Sequence, residues 1–196
     1  FNLSQLASII GAIENTGLKR FAVCQHIDGS DWKAVKEERR EIIDFLIDYA
    51  MQNPEMEVVT EQLYDDGVYL LQRVAEHEPE LAVEMEKLLA RQGGCPAGDR
   101  IVNVDYRGNV HLCPYWQYRT IGNIREQKLS DICFDEEDEI LAMMKDKTQH
   151  LKGKCGRCMH KHLCRGCGAR AEEMCGDLFG TDPACYLTEE EVAAVR

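Results

Sequence analysis

A chain of 196 residues, 44% of them hydrophobic, suits one domain or two small ones and can bury a core. Its net charge of −12 repels nucleic acid and anionic membrane surfaces, which argues against the electrostatic binders of either. No apolar run approaches the roughly 18 residues of a membrane span, and FNLSQLASII lacks the basic-then-apolar order of a signal peptide; the reading is cytoplasmic, with reduced thiols.

In chain order, Leu3, Leu6, Ile9, Ile10 and Ile13 form a helical stripe, with Asn2 as cap and Gly17 as stop. RFAVCQHI reads as a short buried strand ending before the turn Asp28-Gly29-Ser30. His26 lies at its end, open to a core or a site role. Glu37 to Met51 is predicted as an amphipathic helix on Ile42, Ile43, Phe45, Leu46 and Tyr49, and MEVVTEQ as a second strand after the Asn53-Pro54 break. Helix alternating with strand implies parallel pairing, and such a sheet needs more than two strands. Gly67 to Ala90 reads as helical, ending at Gly93-Gly94.

A domain boundary is placed at about residue 93, where cysteines crowd in. RIVNVDYRGNVHLC alternates Ile101, Val102, Val104 and Tyr106 before the turn Arg107-Gly108-Asn109, then Val110 and Leu112; this is a hairpin, with Cys113 on its return strand. Asp131 to Lys145 is predicted helical, with the acidic run Asp135 to Glu139 as a solvated helix start. A further helix opens at Gly168, where its end amides would favour thiolates.

Cys155–Cys167, CGRCMHKHLCRGC, packs two CxxC turns into thirteen residues, a spacing that points to metal. With Cys95, Cys113 and Cys185 there are seven patterned cysteines, too many for one tetrahedral zinc and about right for two centres, one of them short of a ligand. Cys133 and Cys175 fall outside the pattern and read as small buried residues; Cys24 is isolated. His160 and His162 read as solvated, His111 as within possible reach of a metal, and Met143 and Met144 as core.

The pattern Cys95-x12-Gly108-x4-Cys113, then Cys155-x2-Cys158-x5-Cys164-x2-Cys167, then Cys185 resembles the SPASM extension of radical S-adenosylmethionine (SAM) enzymes. GNIREQKLSDI, LKGKCGRC, CGARA and GDLFGTDPACYLTEEE are similar to that superfamily as well. GGCPAG, NVDYRGNVH and DPACYLTEEE look most like its heme-biosynthesis branch, the didecarboxysiroheme deacetylases and heme d1 maturases.

The resemblance implies an α/β fold: residues 1–92 as the last helix–strand units of a partial (β/α)6 TIM-like barrel, and residues 93–196 as a small cysteine-rich α+β SPASM domain holding two auxiliary [4Fe-4S] clusters. Cys155, Cys158, Cys164 and Cys185 would ligate the distal cluster. Cys95, Cys113 and Cys167 would ligate the nearer one, leaving a place for Asp99, His111 or, as the favoured expectation, an exchangeable water or substrate carboxylate. The implied activity is modification of a tetrapyrrole such as didecarboxysiroheme, with ferredoxin or flavodoxin as electron donor and the catalytic residues unknown. No CxxxCxxC motif occurs here. SAM and its own [4Fe-4S] cluster are therefore expected in a missing N-terminal part, and this chain alone is expected to be inactive. Alternatives are a SPASM peptide maturase, a zinc-stabilised interaction module, which leaves Cys95, Cys113 and Cys185 idle, and an electron carrier without a SAM site.

Overall fold

A computed structural model describes residues 3–24, 32–61 and 64–193. Asn2, His26 and the turn at residues 28–30 lie outside the described residues. Helix α1 (Leu3–Asn15) buries Leu6 and Ile10 and is followed by Gly17 at φ +76°. Strand β1 (Arg20–Cys24) precedes α2 (Trp32–Gln52), which starts five residues before the predicted point and buries Ile42, Ile43, Leu46 and Ile47. Strand β2 (Glu57–Glu61) pairs with β1 in parallel, Phe21 opposite Val58 and Val23 opposite Thr60, as helix–strand alternation requires. β1 is not fully buried as predicted. Its residues alternate exposed and half-buried, because one face alone is packed on the core.

The predicted single helix over Gly67 to Ala90 is two, α3 (Tyr64–His77) and α4 (Pro79–Gln92). Pro79 has no N–H to continue α3 and suits the first turn of α4. Gly93, at φ +65°, ends α4 by donating its N–H to the Leu89 carbonyl.

The hairpin forms from β3 (Asn103–Val104) and β4 (Asn109–His111), with Gly108 at φ +88° in the turn. A third antiparallel strand, β5 (Gly122–Asn123), pairs with β4 and was not predicted. Cys113 lies two residues past β4, in a turn rather than on the return strand. The predicted alternation fails on the outgoing side, where Ile101, Val104 and Tyr106 are all exposed, while Val110 and Leu112 are fully buried. The predicted helix Asp131–Lys145 is split into α5 (Leu129–Cys133) and α6 (Glu139–Lys145). The split falls in the acidic run because Asp138 caps α6, accepting the N–H groups of Ile140 and Leu141, each at 2.9 Å. Short helices α7 (Lys147–His150), α8 (Gly153–Arg157) and α9 (Lys161–Cys164) lead to α10 (Gly168–Cys175) and finally α11 (Glu189–Ala193).

One core joins α1 to α4 with Cys158, Leu163, Cys185, Tyr186, Leu187 and Val192, so burial crosses residue 93. A second gathers Cys95, Leu112, Cys113, Trp116, Leu141, Met144 and Ala169. A buried polar clamp reinforces the crossing: Arg39 of α2 donates to Asp66 at 2.7 Å and to the Ala184 carbonyl at 2.8 Å, and Tyr186 donates to Asp66 at 3.0 Å. No helix among the described residues is long and apolar enough to cross a membrane.

Candidate metal centre

Four cysteines from α8, α9 and the tail surround one small cavity: Cys155, Cys158, Cys164 and Cys185. Cys155 lies within α8, Cys158 caps its end, and Cys164 closes α9. The tail residue Asp182 fixes the approach, since its N–H donates to Cys155 Sγ at 3.3 Å and its carboxylate accepts the Ala184 N–H at 3.0 Å, just before Cys185. Lys154 donates to the carbonyls of Cys185 and Leu187. Burial pushes all four thiols up, Cys185 to about 12, against the opposing charges of Lys154 and Lys161 at Cys158 and of Lys154 at Cys185. Such thiols stay protonated until a metal takes the proton's place.

A second, larger cavity of about 740 Å³ is lined by Cys95, Cys113 and Cys167, with Cys164 on the wall it shares with the first. Thr60 and Glu61, at the C-terminal end of β2, and Tyr64 and Tyr115 line it too. The Cys95 N–H donates to the Cys164 carbonyl at 3.0 Å. That approach requires Gly94, at φ +61°, because a Cβ there would strike the Cys164 backbone. Cys167 caps α10, and its N–H donates to Asp182 at 3.0 Å. Arg170 grips the same carboxylate at 2.9 and 2.5 Å, so one aspartate orients the cysteines of both cavities. Burial pushes Cys167 up to about 12, opposed by Arg170, and raises Cys113, opposed by the backbone N–H groups of Tyr115 and Trp116.

Neither Asp99 nor His111, the two side-chain candidates for completing the Cys95 set, lines this cavity. Asp99 accepts from Arg165 at 2.6 Å, and His111 is buried between the Arg119 carbonyl at 2.8 Å and Asp105 at 3.4 Å. Cys24, Cys133 and Cys175 line neither cavity. Cys175 is exposed rather than buried, because α10 turns its last residue outward, and Cys133 is intermediate. His162 is exposed as predicted, but His160 is buried against Gln72 at 3.1 Å, because α9 packs on α3. Met144 is core. Among the described residues no group of three or more His, Cys, Asp or Glu is placed to hold a single metal ion. One zinc would need its sulfurs roughly 3.8 Å apart, from a Zn–S bond of about 2.3 Å. Sequence reasoning missed Asp182, signalled only by its place in DPACYL, and Lys147, whose charged neighbours read as surface.

Residues 95–159 match the SPASM family, an iron-sulfur cluster-binding domain; the match includes Cys95, Cys113, Cys155 and Cys158. The chain is 34% identical over 164 residues to the Fe-coproporphyrin III synthase of Methanosarcina barkeri, covering 80% of this chain and 41% of that protein. It is 30% identical over 203 residues to the pre-heme d1 synthase of Dinoroseobacter shibae, covering 97% and 50% respectively. To the AdoMet-dependent heme synthase of Methanosarcina barkeri it is 37% identical over 106 residues, covering 54% and 29%. The chain thus spans half or less of the length of these relatives. No solved structure matches it. The cysteine pattern, the domain match and the relatives point one way: residues 95–159 match a SPASM iron-sulfur domain, and the chain is similar, over most of its length, to synthases of the heme-biosynthesis branch of radical SAM proteins.

Proposed function

We propose that this chain holds two auxiliary [4Fe-4S] clusters beside a substrate cavity, and that the enzyme to which it belongs uses SAM to modify a tetrapyrrole. The observation that carries the reading is the sorting of seven cysteines onto two adjoining cavities. In this reading Cys155, Cys158, Cys164 and Cys185 hold one cluster, and Cys95, Cys113 and Cys167 hold the other. The engagement of Asp99 and His111 elsewhere supports an exchangeable fourth ligand at the Cys95 site. The donor sets fit: they are all sulfur, the ligand type suited to iron-sulfur chemistry, and Arg170 at Cys167 and Lys154 at Cys185 bring positive charge to them beside the carboxylates of Asp182 and Asp65. When bound, such clusters supply one-electron transfer and, at an iron without a fourth protein ligand, a Lewis-acid position.

Residues 1–92 are proposed as part of a partial (β/α)6 TIM-like barrel, and residues 93–196 as the SPASM domain. The parallel β1–β2 pair joined through α2 supports this, as does the placing of Thr60 and Glu61 at the cavity, since barrel sites lie at the C-terminal ends of strands. The cavity volume falls within the roughly 300–1,000 Å³ of small-molecule sites. Asp182 orients both cysteine sets, and Tyr64 and Tyr115 offer aromatic wall to a macrocycle. SAM with its own cluster, and an electron donor such as ferredoxin or flavodoxin, complete the proposed enzyme. The names of the relatives, Fe-coproporphyrin III synthase and pre-heme d1 synthase, support a tetrapyrrole substrate, here a didecarboxysiroheme-like one.

The test adds didecarboxysiroheme, iron coproporphyrin or a cysteine-rich peptide to the anaerobically reconstituted chain and follows the electron paramagnetic resonance of the reduced clusters. A tetrapyrrole is expected to perturb the signal of the Cys95 site and leave the Cys155 site unchanged. Perturbation by the peptide alone would move the function to peptide maturation.

A further inference from the structure

Lys147 opens α7 with its side chain 1% exposed, among the largest fully buried side chains of the chain. Its ammonium donates to the Gly166 carbonyl at 2.9 Å and, among the described residues, forms no ion pair with a carboxylate. A buried ammonium facing only a neutral carbonyl is costly unless an anion compensates it. Gly166 lies between Cys164 and Cys167 and lines both cavities, so the hydrogen bond holds the ammonium directly behind their shared wall. The field of Lys147 reaches a cysteine of each set, opposing the burial-driven rise at Cys113 and at Cys155.

We propose that Lys147 is a positioning cation shared by the two cluster sites, lodged at the wall between them, which favours the reduced state of both clusters. The inference rests on the two-cluster reading above. Clusters bound by thiolates gain negative charge on reduction, and a fixed cation in a water-poor wall stabilises that charge at both sites. An alternative, purely structural role would need only the hydrogen bond to Gly166.

Lys147→Gln keeps a donor for that hydrogen bond and removes the charge; Lys147→Met removes both; Lys147→Arg keeps the charge. Each chain is reconstituted anaerobically, assayed for iron and sulfide, and titrated redox-wise with paramagnetic resonance detection of each cluster. Gln and Met are expected to make reduction at least tenfold less favourable at both clusters, which for one electron is about 59 mV more negative, and Arg to restore it. A Gln variant that titrates like the unaltered chain, or a shift confined to one cluster, overturns the proposal. Should Gln and Met fail to load iron, loading by Arg supports the charge and failure of Arg overturns it. An unaltered chain that binds fewer than two clusters removes the underlying reading instead, and does so before any variant is measured.

Discussion

Position, not burial alone, separates the proposed ligand cysteines from the rest. Cys133 is half-buried and Cys158 buried, yet only Cys158 faces a cavity. Cys158→Ala is therefore expected to lose one cluster, about four iron, whereas Cys133→Ala and Cys175→Ala keep full iron content; equal loss in all three would contradict the assignment. Two glycines make a similar contrast. Gly176 sits at φ +69° in open space, so Gly176→Ala should cost about 1 kcal/mol of backbone strain alone. Gly94 sits at φ +61° against the Cys164 backbone, and Gly94→Ala should cost at least about 3 kcal/mol or prevent folding, because the contact that brings the two cysteine sets together must open. Comparable melting temperatures for the two variants would refute that contact.

Among the elements, α6 and α10 place the second core under the Cys95 cavity. Asp138 caps α6 with two hydrogen bonds, so Asp138→Ala should destabilise the chain by about 1 kcal/mol in chemical denaturation, while an unchanged midpoint would mean that the cap is idle. Tyr118 holds the start of α10 by donating to the Ala169 carbonyl at 2.7 Å. Burial, then the charges of Glu172 and Glu173, push its hydroxyl up to about 12. The folded state thus keeps the proton that the unfolded chain releases from about pH 10, and stability falls as pH rises from about 10 to 12. The Tyr118→Phe chain lacks this group. Its deficit in melting temperature against the unaltered chain should be fullest below pH 10 and shrink toward pH 12; a constant deficit would contradict the linkage.

For the whole molecule, cysteine spacing marked the residues that line the two cavities: Cys155, Cys158 and Cys185 face one, Cys95, Cys113 and Cys167 the other, and Cys164 both. What stayed hidden depends on tertiary burial. Lys147 stands in a charged run and Asp182 beside a proline, and neither signals that it will be enclosed; His160 read as surface until α9 packed on α3. β5 has two residues, too few for a periodic pattern, and Asp138 divided a run that its acidic composition made look like one helix start.

The central claim, two four-iron clusters on one chain, is tested most directly by iron, acid-labile sulfide and zinc analysis of the chain prepared without air. The account predicts about eight iron and eight sulfide per chain, from two four-iron centres. One or two zinc ions with no sulfide would contradict it and make the cysteine-rich half a zinc-stabilised module.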